Sequence, residues 1–145
     1  MILPLTKEKL LEVLEIENDC FITPYTKNLL VSTIDSPCFI GFYSGDNGVD
    51  GYILSSVVLD EANLDRIAVK KDKRNNQIGK KLIMALEDAL VKKGISSIFL
   101  EVRVSNAIAI SLYEKMGFER INVRKKYYEN TEDAIVMKKV LRSEN

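Results

Sequence analysis

The sequence predicts a mixed α/β sheet, with antiparallel hairpin strands first and one parallel crossover at its centre. Two observations carry this. Residues 38–43 (CFIGFY) and 51–59 (GYILSSVVL) are β-rich runs separated by SGDNGVDG, whose glycine, asparagine and aspartate suit a hairpin turn. Further on, the strand at residues 64–69 passes through a polar loop into an amphipathic helix. A second β-rich run follows at residues 97–104, which is the order of a βαβ unit with parallel strands.

Each element has a local reason. Thr6 stands where a helix cap is favoured, and Leu10, Leu11, Val13, Leu14 and Ile16 follow as an apolar stripe at roughly helical spacing. A first helix is therefore expected to about Asn18. Pro24 breaks the stretch FITPY, and a short helix is expected over residues 26–34. Ser36-Pro37 ends it, because the residue before proline is pushed out of the helical region. Residues 60–63 read as a polar connection. In Ile78–Lys92, Leu82, Ile83, Leu86, Ala89 and Leu90 share one face, and Gly94 supplies the stop. Ser105 and Asn106 can cap a helix over residues 107–116, closed by Gly117. Residues 118–123 and 134–141 finish as strands, joined by KKYYENTED. No internal repeat or low-complexity linker interrupts this order. The 145 residues are expected to form one domain, 1–145, large enough for a core without metals or disulfides.

The totals narrow the function. Hydrophobic residues at 46% and charged residues at 29% are ordinary for a globular chain. Basic and acidic side chains balance at 21 each, which argues against a general nucleic-acid binder. Cys20 and Cys38 match no metal or redox spacing and are expected to be buried thiols in a reducing cytoplasm. MILPLTKEKL has no long apolar run, so no signal peptide is expected, and no stretch approaches membrane-spanning length. The most useful total is zero histidines. It excludes a Ser-His-Asp or Cys-His catalytic group and removes the commonest zinc ligand. Carboxylates, tyrosine, amines or backbone groups must then move any protons.

Three places can carry chemistry. The first is LDRIAVKKDKRNNQIGKKL, where Lys70, Lys71, Lys73, Arg74, Lys80 and Lys81 stand against the single acid Asp72. A strand running through such a loop into a helix N-terminus is a common phosphate cradle, because free N–H groups and the helix dipole favour an anion there. A solvated basic turn has the same sequence signature. The loop is not a Walker motif, since Gly79 is followed by Lys80 and Lys81, and G-x-G-x-x-G is absent. The second place is Glu101, an acid inside an apolar strand on the face of Phe99 and Arg103. It is either a surface residue paired with Arg103 or a carboxylate at the C-terminal end of a parallel strand. Ligands of open sheets gather at such ends, and apolar walls raise an acid's proton affinity. The third is AIAISLYEKMGF, where Tyr113 suits a packing face and Asn106 before it suits a helix cap.

Together these residues resemble the GNAT N-acetyltransferase superfamily. VVLDEANLDRIAV…LEVRVSNAIAISLYEKMGFERINVRKKYY…EDAIVMK is similar in particular to its RimI-like branch, the ribosomal-protein-alanine N-acetyltransferases. The joint pattern LEVR-x-SN-x-x-A-x-x-LYE-x-MGF is specific. The strong match covers residues 57–138, while the N-terminal third fits by element order and a loose F-x-x-P-Y.

The resemblance implies a GNAT fold, a central mixed, mostly antiparallel sheet with a splayed parallel strand pair and about four flanking helices. It implies an acetyl-CoA-dependent N-acetyltransferase with acetyl-CoA wedged between the splayed strands. Ile67, Ala68 and Val69 would offer backbone groups to the pantetheine and thioester. Arg74, Asn75, Asn76, Gln77, Ile78, Gly79 and Lys80 match the Q/R-x-x-G-x-G/A loop whose amides receive the pyrophosphate. Asn106 matches a coenzyme-contacting asparagine, Glu101 the general base and Tyr113 the general acid. One residue departs from the pattern. Gln77 occupies the first loop glycine, where a side chain would crowd the phosphate or need a left-handed backbone.

The implied acceptor is the N-terminal α-amine of a protein, the alanine of a small-subunit ribosomal protein. The peptide would enter between residues 21–25 and 126–132, with Tyr127 and Tyr128 as candidate walls and Asp60 and Glu61 available to attract a basic peptide. Two alternatives remain open: an acetyltransferase of a lysine, polyamine or small amine, and a non-catalytic CoA-binding module. No metal, nucleic acid or membrane partner is expected. The expected state is a monomer or weak dimer in the cytoplasm.

Overall fold

The computed structural model describes residues 1–128 and 132–141, with side chains described outside residues 126–131. Seven strands form one mixed sheet: β1 (Ile2–Pro4), β2 (Phe39–Ser44), β3 (Gly51–Val58), β4 (Glu61–Val69), β5 (Ser97–Arg103), β6 (Glu119–Tyr128) and β7 (Glu132–Val140). Their spatial order is β1-β2-β3-β4-β5-β7-β6. All neighbours are antiparallel except β4 and β5. The helices are α1 (Leu10–Cys20), α2 (Lys27–Asp35), α3 (Ile78–Lys92) and α4 (Ala107–Lys115). The expected hairpin, crossover and mixed sheet are all present.

Side-chain alternation along the strands divides the core in two. Tyr52, Leu54 and Ala68 turn to one face, where they pack with Val13 and Ile16 of α1 and Leu30 of α2. Ile53 turns to the other, with Leu82, Ile83, Leu86 and Leu90 of α3 and Ile110 and Tyr113 of α4. Burying the large aliphatic side chains of this cluster, at ~1.5–3 kcal/mol each, supplies most of the drive that fixes the crossover helix over β4 and β5.

The capping signals act as read at Asn106, Gly94 and Gly117, and the structure adds a cap at Thr26. Thr26 Oγ1 accepts from Leu29 N at 3.1 Å and starts α2. Asn106 Oδ1 accepts from Ala109 N at 3.2 Å and starts α4. Gly94 (φ 78°) and Gly117 (φ 96°) close α3 and α4 in the left-handed conformation, and Ile95 N returns to Leu90 O at 3.0 Å.

Several boundaries differ from the sequence reading. Thr6 makes no side-chain cap; a 3-10 turn at Lys7–Lys9 intervenes and α1 starts only at Leu10. Leu11 of the expected stripe is largely exposed. Residues 2–4 add a strand too short for any periodicity to reveal. β4 begins at Glu61 rather than at residue 64, so the supposed polar connection supplies the first strand residues. β5 stops at Arg103, and β6 continues to Tyr128. Cys38 is exposed just before β2, not buried, and Cys20 is half-buried.

The separation of β4 from β5 positions the site. They pair in parallel only over Glu61↔Ser97, Ala62↔Ile98 and Asn63↔Phe99. From there β4 stays with β3, while β5 stays with β7 along its whole length. The cause lies two residues on. Leu64 pairs with Ser55 and Arg66 with Leu54, which leaves Asp65 as an extra, unpaired residue. Such a bulge bends its strand and increases the local twist, and it turns β4 away from β5.

Candidate active site

The splay opens a cleft of about 1200 Å³. Its walls come from β4 and β5, from Asn106 and Tyr113 at α4, from Arg124 of β6 and Val136 of β7, and from the chain between α1 and α2. Ile67, Glu101, Asn106 and Tyr113 all line it, although the last three come from different elements than the first. The loop residues Arg74, Asn75, Asn76, Gln77, Ile78, Gly79 and Lys80 do not line this cleft, nor do Ala68 and Val69; they lie at and beyond the far end of β4.

On β4 the backbone faces the opening. Lys70 N donates to Asp50 O at 2.8 Å, toward β3. Strand alternation then turns Ala68 N–H the same way and Ile67 and Val69 N–H to the opened side. No β5 residue stands in register to accept from them. A row of unpaired strand amides can bind an extended polar chain and polarise a carbonyl.

Glu101 is half-buried in β5. Oε2 is shielded from solvent and has no hydrogen-bond donor in line among the described residues. Arg124 Nε from β6 nevertheless lies 3.1 Å away, a charge pair without hydrogen-bond geometry. Of the two readings of Glu101, the pairing with Arg103 is not the one seen: Arg103 Nη1 meets Glu132 Oε1 at 3.3 Å. Hydrogen bonds from Ser105, with Arg103 beside them, hold the Glu132 carboxyl below the usual range. Asp65 is shifted the opposite way. Burial pushes its carboxyl up, partly offset by a hydrogen bond from Ser56.

Tyr113 is nearly buried on α4, its ring tilted against Phe118 at a centroid distance of 5.7 Å. The packing role read from its spacing and its place on the cleft wall therefore coexist. Asn106 likewise has two faces: Oδ1 caps α4, while its amide nitrogen remains a donor.

At the loop, Gln77 adopts a left-handed backbone (φ 61°, ψ 21°) as the residue preceding α3, and Asn75 is also left-handed (φ 69°). The conformational demand foreseen at the missing glycine is real and costs about 1–2 kcal/mol for an L-residue. A Cβ at Gly79 would meet only Leu112 Cδ2, at 3.5 Å, so the fold itself does not demand glycine there. Arg74 folds back, Nε donating to Val69 O at 3.1 Å. Lys71 reaches Asp19 at 3.8 Å. The α3 N-terminal amides and the β4 edge thus form a polar track of the kind a nucleotide thioester would occupy. Among the described residues, no three His, Cys, Asp or Glu side chains group as a metal site, and no helix is long and apolar enough to cross a membrane.

Sequence reasoning missed a buried group beside the cleft. Glu17 on α1 is completely buried and accepts from Tyr52 Oη, Arg66 Nε (3.1 Å), Arg66 Nη2 (2.9 Å) and Tyr25 N (2.8 Å). The available signal was the four-residue step from Val13, which puts Glu17 on the inward stripe. Tyr127 and Tyr128 lie outside the residues whose side chains are described. Glu61 lines the cleft, and Asp60 instead accepts from Ser96 Oγ at 3.0 Å.

The splayed parallel pair in a mixed, mostly antiparallel sheet is the architecture that the resemblance to N-acetyltransferases implied. The Acetyltransferase (GNAT) family model matches residues 10–118, and the chain belongs to that family. Its relatives include the [ribosomal protein bS18]-alanine N-acetyltransferase of Escherichia coli, 43% identical over 103 residues, covering 68% of this chain and 70% of that one. The protein of the same description from Haemophilus ducreyi is 32% identical over 141 residues, 94% of this chain and 97% of that one. The crystal structure of the Escherichia coli ribosomal-protein-S18-alanine N-acetyltransferase superposes with a TM-score of 0.92 at 32% identity, over 100% of this chain and 96% of that one.

Proposed function

We propose that this N-acetyltransferase transfers the acetyl group of acetyl-CoA to the N-terminal alanine of ribosomal protein bS18, in the cytoplasm. Supporting this is the convergence of Ile67, Glu101, Asn106 and Tyr113 on one cleft, in a chain similar to bS18-alanine acetyltransferases over nearly its full length. Acetyl-CoA supplies the activated acyl group as its thioester. The β4 amides of Ile67 and Val69 hold the thioester carbonyl and pantetheine, with Ala68 between them, and Asn106 adds a donor. Residues 74–80 receive the pyrophosphate on the first amides of α3, where the helix dipole favours the charge.

An α-amine has a pKa of roughly 7.7–8.0, so a useful fraction is neutral near pH 7.5 and the base has modest work. Glu101 takes the proton as the amine attacks, directly or through a water. Tyr113 protonates the departing thiolate, a simple thiol of pKa ~8.5 when free. The acetyl group passes directly to the amine, with no acyl-enzyme. The test is an acetylation assay of alanine-starting bS18 peptides against ε-amine, polyamine and small-amine acceptors, joined to intact-mass analysis of ribosomal proteins with and without the enzyme. A strong preference for the α-amine and a 42-Da shift on bS18 alone are expected, the mass of one acetyl group replacing one proton (~42 Da). Equal use of ε-amines would overturn the reading.

A further inference from the structure

The cleft wall at residues 21–25 is irregular chain between two helices, yet its backbone is tied down from two sides. Glu17 Oε1 accepts from Tyr25 N at 2.8 Å, and Arg66 Nη2 donates to Thr23 O at 2.9 Å. The Arg66 guanidinium lies 3.7 Å from the Phe21 ring centroid and 4.8 Å from that of Tyr25. Arg66 and both rings line the cleft, and Arg66 directly precedes Ile67 on β4.

We infer that Glu17 and Arg66 form a positioning pair that holds residues 21–25 as a preformed wall for the acceptor peptide. The inference rests on the acceptor reading above. The pair is more specific than stability requires. A buried ion pair is often replaceable by apolar packing without loss of stability, so stability alone does not account for this one. Here one carboxylate joins α1, β3, β4 and the wall, through Tyr52, Arg66 and Tyr25. It fixes the height of the two aromatic rings relative to the strand whose amides face the thioester. Without it the wall must be ordered by the incoming peptide, and that ordering cost appears in acceptor affinity. On the reading above, acetyl-CoA lies against β4 and α3, away from this wall.

The experiment compares Glu17→Gln with the double variant Glu17→Gln/Arg66→Gln, which leaves no unpaired buried charge if the single variant folds poorly. Melting curves confirm folding, and kinetics are measured with an alanine-starting peptide and with alanine amide. The peptide KM is expected to rise ~10-fold or more, while the acetyl-CoA KM stays within about 2-fold and activity on alanine amide is preserved. Equal shifts in both KM values, or an unmoved peptide KM in a folded variant, would overturn the inference alone. A wild-type enzyme inactive on every alanine-starting peptide would overturn the acceptor reading, and this inference with it.

Discussion

Arg124 reaches across β7 to place Nε 3.1 Å from Glu101 Oε2, so the candidate base is charge-paired before any substrate arrives. The approach is off the hydrogen-bond line, and the shielded oxygen keeps its capacity to accept a proton or a water. Glu101→Gln preserves shape and removes both the basicity and the charge. Turnover is expected to fall ~10²-fold or more, the usual range for a general base. The acetyl-CoA KM should stay nearly constant. Stability should change little, since partly exposed ion pairs contribute about 0–1 kcal/mol. Steady-state kinetics with a melting curve decide it; unchanged turnover removes Glu101 as base.

Tyr113→Phe separates packing from chemistry at one position. The ring packs against Phe118 and is retained, so the core contact survives the substitution. Loss of the hydroxyl should lower turnover ~10²-fold if it delivers the final proton. A variant that melts early but turns over normally per folded molecule would assign Tyr113 to the core alone.

The α3 helix, the cap at Asn106 and the stops at Gly94 and Gly117 were legible because each rests on a pattern within a few residues. Gln77 was legible as a problem, since one missing glycine at a helix entrance has few backbone solutions. The separation of β4 from β5 was not readable from residue periodicity. It follows from a one-residue mismatch between Leu54–Ser55 and Leu64–Arg66 across two strands, and no local pattern marks Asp65 as the extra residue. The Glu17–Arg66 pair was hidden for the same reason, since its partners are 49 residues apart. Arg124 was hidden too, because a β-rich edge strand gives no sign of which cross-sheet neighbour its side chain will meet.

Gln77→Gly tests the loop directly. Glycine enters the left-handed region without the ~1–2 kcal/mol penalty of an L-residue, although it sacrifices ~0.5–1 kcal/mol in unfolded-chain entropy. Folding stability should stay level or rise slightly. Removal of the exposed side chain beside the first α3 amides should lower the acetyl-CoA KM. Gln77→Val, with its branched Cβ, should lower the melting temperature and raise that KM. Calorimetric titration with CoA checks the binding arm; identical affinity in all three proteins would mean that the side chain lies clear of the phosphate.

Asp65 gives a pH test of the bulge. Burial raises its carboxyl above the ordinary 3.8, and the Ser56 hydrogen bond offsets only part of that. The folded chain therefore keeps a proton that the unfolded chain has released, and in that window stability falls as pH rises. The loss begins near pH 3.8, is complete once pH exceeds the raised folded value, and persists at neutrality. Asparagine cannot ionise, and its side-chain oxygen still accepts from Ser56. Asp65→Asn should thus melt higher than the wild type at pH 7, with the gap narrowing as pH falls toward 3. Asp65 is exposed at the residue level and its carboxyl only partly desolvated, so the gap should be small but follow this direction. Melting temperatures from pH 3 to pH 8 measure it, and a gap that widens toward low pH would mean that the carboxylate is stabilised at the bulge.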